Sequence, residues 1–96
     1  MLDFSVQNKP FMTVKLQDER QVFVVPPKKR QLDALVNAQE NATIDTLYEM
    51  AAELLSNNKQ GRMFSMEDLS DWDTNDIQAF FRAYMEFIQQ MRSDPN

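Results

Sequence analysis

The segment DIQAFFRAYMEFIQQM, residues 76–91, restricts this chain more than any other stretch: eight of its sixteen residues are large and apolar, namely Ile77, Phe80, Phe81, Tyr84, Met85, Phe87, Ile88 and Met91. Laid out at about 100° per residue, they span an arc of about 160°. Gln78, Arg82, Glu86, Gln89 and Gln90 fill the opposite side, with Ala79 and Ala83 between them. A helix lying on one neighbour usually shows a stripe of ~100°, so this face calls for contact on two flanks. In one arrangement both flanks are internal, one on the IDTLYEMAAELL segment and one on a sheet or on Trp72, since small domains often sink their most apolar helix. In the other, one flank meets the domain's own core and the second meets another protein or a second copy. Seven methionines in 96 residues favour the second arrangement, because flexible thioethers adapt to irregular ligands.

The remaining pattern is that of an α+β domain, mostly helical, in which a β-hairpin precedes three to four helices. In MTVKLQDERQVFVV, Met12, Val14 and Leu16 alternate with Thr13 and Lys15, and Val22 to Val25 follow with strong β preference. QDER between them predicts a four-residue connection built on a type I turn. Leu2, Phe4 and Val6 alternate as well and offer a third strand, because two strands alone are marginal in water. Pro26 and Pro27 end the strands, and Pro27 is placed to open a helix through KKRQLDALVNAQE, whose apolar stripe of Leu32, Leu35 and Val36 is narrow. Thr43 is the expected N-cap of the next helix, lined by Ile44, Leu47, Tyr48, Ala51, Leu54 and Leu55. The single glycine, Gly61, suits the left-handed residue that closes a helix. Ser65 and Asp68 have the spacing of a capping box ahead of a short helix MEDLSDW, and Asp73 or Thr74 caps the last helix. One domain over 1–96 is expected, with a hairpin region 1–26, a helical region 27–92 and a disordered tail 93–96.

Composition removes several kinds of chemistry. The chain has no cysteine and no histidine, so thiol and imidazole nucleophiles, bases and metal ligands are absent. Neither GxxxxGK[ST], GxGxxG nor GxSxG occurs, and no carboxylate pair stands out among fifteen acids. An enzyme and a cofactor are not expected. Asp71, Asp73 and Asn75 match the first positions of a calcium loop, but Asp76 stands where glycine is needed and Arg82 where the bidentate glutamate belongs. These acids read as helix caps, and no metal site is expected. The net charge of −5 repels phosphate backbones, and Lys28, Lys29 and Arg30 read as a solvated helix start rather than a nucleic-acid contact. No leader-like start and no apolar run of membrane-spanning length occurs, so a cytosolic protein without membrane contact is expected.

Three blocks, VFVVPPKKRQLDAL, LYEMAAELLSNNKQGRMFS and FFRAYMEFI, lying within residues 12–91, together resemble the small tail assembly chaperones of long-tailed phages and prophages of Gram-positive bacteria. That resemblance implies a mostly helical, non-enzymatic protein of the host cytoplasm. Such a protein binds the tape measure protein, keeps it soluble, gives way to the tail tube protein, self-associates, and is not retained in the mature virion. The family supplies no ligand residues to carry over one by one. The partner-binding residues expected from the physics are therefore Phe80, Tyr84, Met85, Phe87 and Met91 on the last helix, with Tyr48 and Leu55 continuing the surface. A phage or prophage interaction module or a dimeric regulator would use the same helix.

Overall fold

The alternation in MTVK and QVFV is realised as β1 (Met12–Lys15) antiparallel to β2 (Gln21–Val24). Met12 lies opposite Val24 and Val14 opposite Val22, so the apolar residues of both strands share one face. Val22 and Val24 are fully buried there. The structure is a computed structural model and describes residues 10–93; the strand expected from Leu2, Phe4 and Val6 and the end of the expected tail, residues 94–96, lie outside them.

The hairpin loop is shorter than expected. Glu19 N–H donates to Leu16 O at 2.9 Å and Leu16 N–H donates to Arg20 O at 2.7 Å, which leaves Gln17 to Glu19 as a three-residue loop. Such a loop needs a left-handed residue at its end, and Glu19 supplies it with φ of 70°. Arg20 then closes back on Asp18, its Nε 3.1 Å from Oδ2.

Two strands are marginal, and β2 gains a third neighbour from further along the chain. Val25 N–H donates to Asn57 O at 2.8 Å, Lys59 N–H donates to Phe23 O at 2.9 Å, and Val24 forms a bridge with Asn58. Gln60 extends the pairing with its side chain, accepting from Phe23 N–H at 3.1 Å and donating to Gln21 O at 3.3 Å. The segment after the second helix thus covers the outer edge of β2, satisfying backbone groups that a bare edge would leave open.

Helix α1 (Lys29–Asn41) begins after Lys28 rather than at Pro27. Lys28 N–H is satisfied by Gln31 Oε1 at 3.0 Å, and this glutamine is itself buried. The α1 stripe also turns: Leu35 is buried and Leu32 half-buried, while Val36, expected on the same stripe, is 56% exposed. Helix α2 (Ile44–Leu55) starts as expected, with Thr46 N–H donating to Thr43 Oγ1 at 3.1 Å. Its first residue, Ile44, is exposed. Gly61 is left-handed, with φ of 69°. It closes a turn by donating to Asn58 O at 3.3 Å, whereas α2 ends at Leu55 on a right-handed Ser56.

The expected short helix at MEDLSDW is a single 3-10 turn, Met66–Leu69, which buries Leu69. Asp68 Oδ2 accepts from Ser65 N–H at 2.8 Å, as its capping box requires. Helix α3 (Thr74–Ser93) opens on a reciprocal pair in which Asp76 N–H donates to Asp73 Oδ1 at 2.9 Å and Asp73 N–H to Asp76 Oδ2 at 3.0 Å. Gln17 Nε2 also donates to Asp76 Oδ2, at 3.1 Å, tying the hairpin loop to the start of α3. Residue 93, placed in the tail by sequence, is the last residue of α3.

The architecture is α+β and mostly helical, a two-stranded hairpin followed by three α-helices. Helix α2 is its centre and touches α1, α3, β2 and the 3-10 turn. Leu54 and Leu55 of α2, Tyr84 of α3, Leu69 and Val24 are each at most 1% exposed. Among the described residues no helix is long and apolar enough to cross a membrane. Two members of the basic run are held within the chain: Lys29 Nζ lies 2.9 Å from Asp33 and Arg30 Nη1 lies 3.3 Å from Glu53.

Candidate protein-binding groove

The wide face of α3 divides between the core and an open groove. Ile77, Phe80, Tyr84 and Ile88 belong to the buried cluster built around α2. A run of rings continues it, with Trp72 6.0 Å from Phe80, Phe80 5.7 Å from Tyr84, and Tyr84 6.3 Å from Phe87 between centroids. Four of the seven residues expected at a partner surface are therefore inside: Phe80, Tyr84, Phe87 and Leu55 are each no more than 9% exposed. Their expected exposure is corrected for a physical reason. Helix α2 packs on α3, and Met12 and Val14 of β1 pack against the same buried cluster, so most of the arc has internal partners.

Of the other three, Tyr48 is half-buried and its Oη donates to Trp72 O at 2.6 Å, which fixes the turn before α3. Met91 is half-buried against the core. Met85 stands at a groove between α1 and α3, about 360 Å³ in volume, together with Leu35, Ala38, Leu47, Ile77, Phe81, Gln78 and Arg82. Phe81 and Met85 are half-buried and lie a turn apart on α3, beyond the flank that α2 covers.

The groove follows from the order of packing. Helices α1 and α3 both rest on α2, and their separation leaves Leu47 of α2 between them. Every wall is helical, so the backbone groups are already bonded along the chain and none is offered to an extended peptide. The apolar lining with one charge and one amide lacks the converging polar groups that orient a small molecule. The channel has room for apolar side chains. Ile44, 66% exposed, lies three residues before Leu47 and prolongs the apolar surface along α2. Sequence reasoning missed Leu35, Ala38, Leu47, Ile77 and Phe81 as one set. The neighbouring directions of Phe81 and Met85 on the helical wheel were the available signal, but the part played by α1 depends on tertiary packing.

Two other cavities have different character. One of about 490 Å³ lies between the hairpin loop and residues 62–72 and carries Asp18, Asp68, Asp71 and Arg62, with the Arg62 guanidinium 4.9 Å from the centre of the Phe64 ring. Another of about 310 Å³ runs between β1 and α3 past Ala79 and Ala83. Among the described residues no group of three or more acids is placed to hold a metal ion, and Asp73 serves as the cap of α3.

Tyr84 places a polar group in the core. Its Oη is buried and has no hydrogen-bond partner among the described residues, and burial pushes the phenol's ionisation well above its usual range. Removing an unsatisfied hydroxyl while keeping the ring is expected to raise stability by up to about 1 kcal/mol, so Tyr84→Phe should move the urea midpoint upward at pH 7. The folded state favours the neutral phenol, so Tyr84 adds no pH dependence below the unfolded value near pH ~10, and above it the wild type loses stability by about 1.4 kcal/mol per pH unit. Urea titrations at pH 7 and at pH ~10.5 should show a smaller alkaline loss in the variant. An equal loss in both proteins would exclude Tyr84 as its source.

No family model, curated protein or solved structure matches the chain.

Proposed function

We propose that this protein is a non-enzymatic assembly chaperone of the phage-tail type, which covers amphipathic helices of a tape measure protein and yields them as tail tube subunits arrive. The observation that carries this reading is the open, all-helical groove formed by Leu35, Ala38, Leu47, Ile77, Phe81 and Met85. A long tape measure helix has apolar stripes that aggregate when bare, and a helix-in-groove contact hides them at three-and-four spacing. The net charge of −5 keeps the loaded complex apart from its neighbours. Half-buried Met85 and Phe81 offer an adaptable contact without buried ion pairs, which suits reversible binding. The sequence resemblance to tail assembly chaperones supports the same reading, and with it a role in the bacterial host cytoplasm outside the mature virion. Self-association through the groove is the competing use of the same surface, as in a dimeric interaction module.

The test is coexpression with a phage tape measure protein. Wild type should hold that protein in the soluble fraction. A Phe81→Asp, Met85→Asp double variant, its fold verified by far-UV circular dichroism, should bind at least about tenfold more weakly, equivalent to ~1.4 kcal/mol. Equal rescue by the two proteins would refute the groove as the binding surface. A groove that instead joins two copies would show as a wild-type dimer that the double variant converts to monomer.

A further inference from the structure

The groove has a charge of its own, and it is opposite in sign to the chain. Acids outnumber bases fifteen to ten over the whole sequence, but Arg82 is the only ionisable residue among those lining the groove. Lys29, Arg30 and Arg20 each sit within 3.3 Å of a carboxylate, and Arg62 lies over the Phe64 ring. The Arg82 guanidinium has neither an ion pair nor a hydrogen bond nor a ring contact among the described residues. It is exposed, four residues after Gln78, which lines the same wall. Successive turns of α3 thus present an amide donor and a guanidinium beside the apolar channel of Ile77, Phe81 and Met85.

We propose that the occupant of this groove is an amphipathic helix carrying a carboxylate next to its apolar stripe, and that Arg82 pairs with that carboxylate to set the helix's direction and register. The inference rests on the groove being a helix-binding site and adds the chemistry of the partner. A guanidinium matches a carboxylate in a forked, two-bond geometry that a lysine lacks. Next to an apolar channel this pair is partly shielded from water, so it counts for more than a fully exposed one. Apolar side chains alone would let a helix slide by a turn or enter reversed, whereas one fixed charge penalises both alternatives.

The experiment uses three designed peptides of identical apolar stripe, capped at both ends, with Glu, Gln or Lys at one position flanking the stripe. Binding to wild type, Arg82→Gln and Arg82→Glu is measured by fluorescence anisotropy at low and high salt, with far-UV circular dichroism to verify that each variant is folded. Wild type should prefer the Glu peptide over the Lys peptide by about tenfold at low salt, and the preference should shrink as salt rises. Arg82→Gln should reduce it to about threefold or less, and Arg82→Glu should reverse it. Binding of all three peptides with the same order in wild type and Arg82→Glu would overturn the role of Arg82 while leaving the groove as a helix site. Absence of binding by every peptide to wild type would overturn both.

Discussion

Phe80→Ala is expected to lower the free energy of unfolding by about 3–5 kcal/mol, the usual cost of removing a buried aromatic ring. The size follows from the position of the ring. Phe80 is 6% exposed and is in contact with three other rings, 6.0 Å from Trp72, 5.4 Å from Phe81 and 5.7 Å from Tyr84. Truncation leaves a cavity between α3 and the turn at Trp72, and Tyr48, which is bonded to Trp72 O, loses the packing behind its partner. Domains of this size have about 5–15 kcal/mol in total, so the variant should be marginal at 37 °C. Chemical denaturation at 25 °C gives the value directly. A loss below about 1 kcal/mol would mean that α3 is not anchored in the core through this ring.

Asn58→Ala should cost about 2–3 kcal/mol, although the residue lies in a loop and is only half-buried. Its amide donates to Leu55 O at 2.7 Å and Arg62 O at 2.8 Å, and its oxygen accepts from Arg62 N–H at 2.9 Å. Alanine removes all three bonds at once and leaves the last turn of α2 and the chain at Arg62 without partners. The same loop bonds to β2 through Asn57 O and Lys59 N–H, so the amides of Val25 and Lys59 should exchange with solvent faster in the variant. Asn58→Asp keeps the acceptor for Arg62 N–H but sets a carboxylate against two carbonyl oxygens, and it should be no more stable than the alanine form. A change within about 0.5 kcal/mol for Asn58→Ala, the range of ordinary surface substitutions, would show that the loop is held by its backbone alone.

The candidate surface was only partly legible, and Met85 shows why. Its place on a wide apolar arc was visible, as was that of Phe80, Tyr84 and Phe87, and all four were expected at the partner surface. Helix periodicity states which residues share a side and says nothing about which neighbours arrive to cover it. The structure separates them: Phe80, Tyr84 and Phe87 lie inward, while Phe81 and Met85 remain at the groove. The buried Gln31 was hidden for a related reason. Its oxygen serves both Lys28 N–H and the Asn57 amide, and Asn57 is distant in sequence.

What the sequence determined by itself was local: the hairpin in MTVK and QVFV, the caps at Thr43, Ser65 and Asp73, and the existence of a long, widely apolar last helix. Each depends on the periodicity of a few neighbouring residues or on a side chain reaching a backbone group three positions away. Only the tertiary structure decided that residues 57–60 cover the edge of β2, that Glu19 takes the left-handed turn position, and that α1 and α3 rest apart on α2 to leave a groove. Those outcomes depend on contacts between residues far apart in the chain, where the burial of one face is settled by competition among several helices and strands for the same apolar surface.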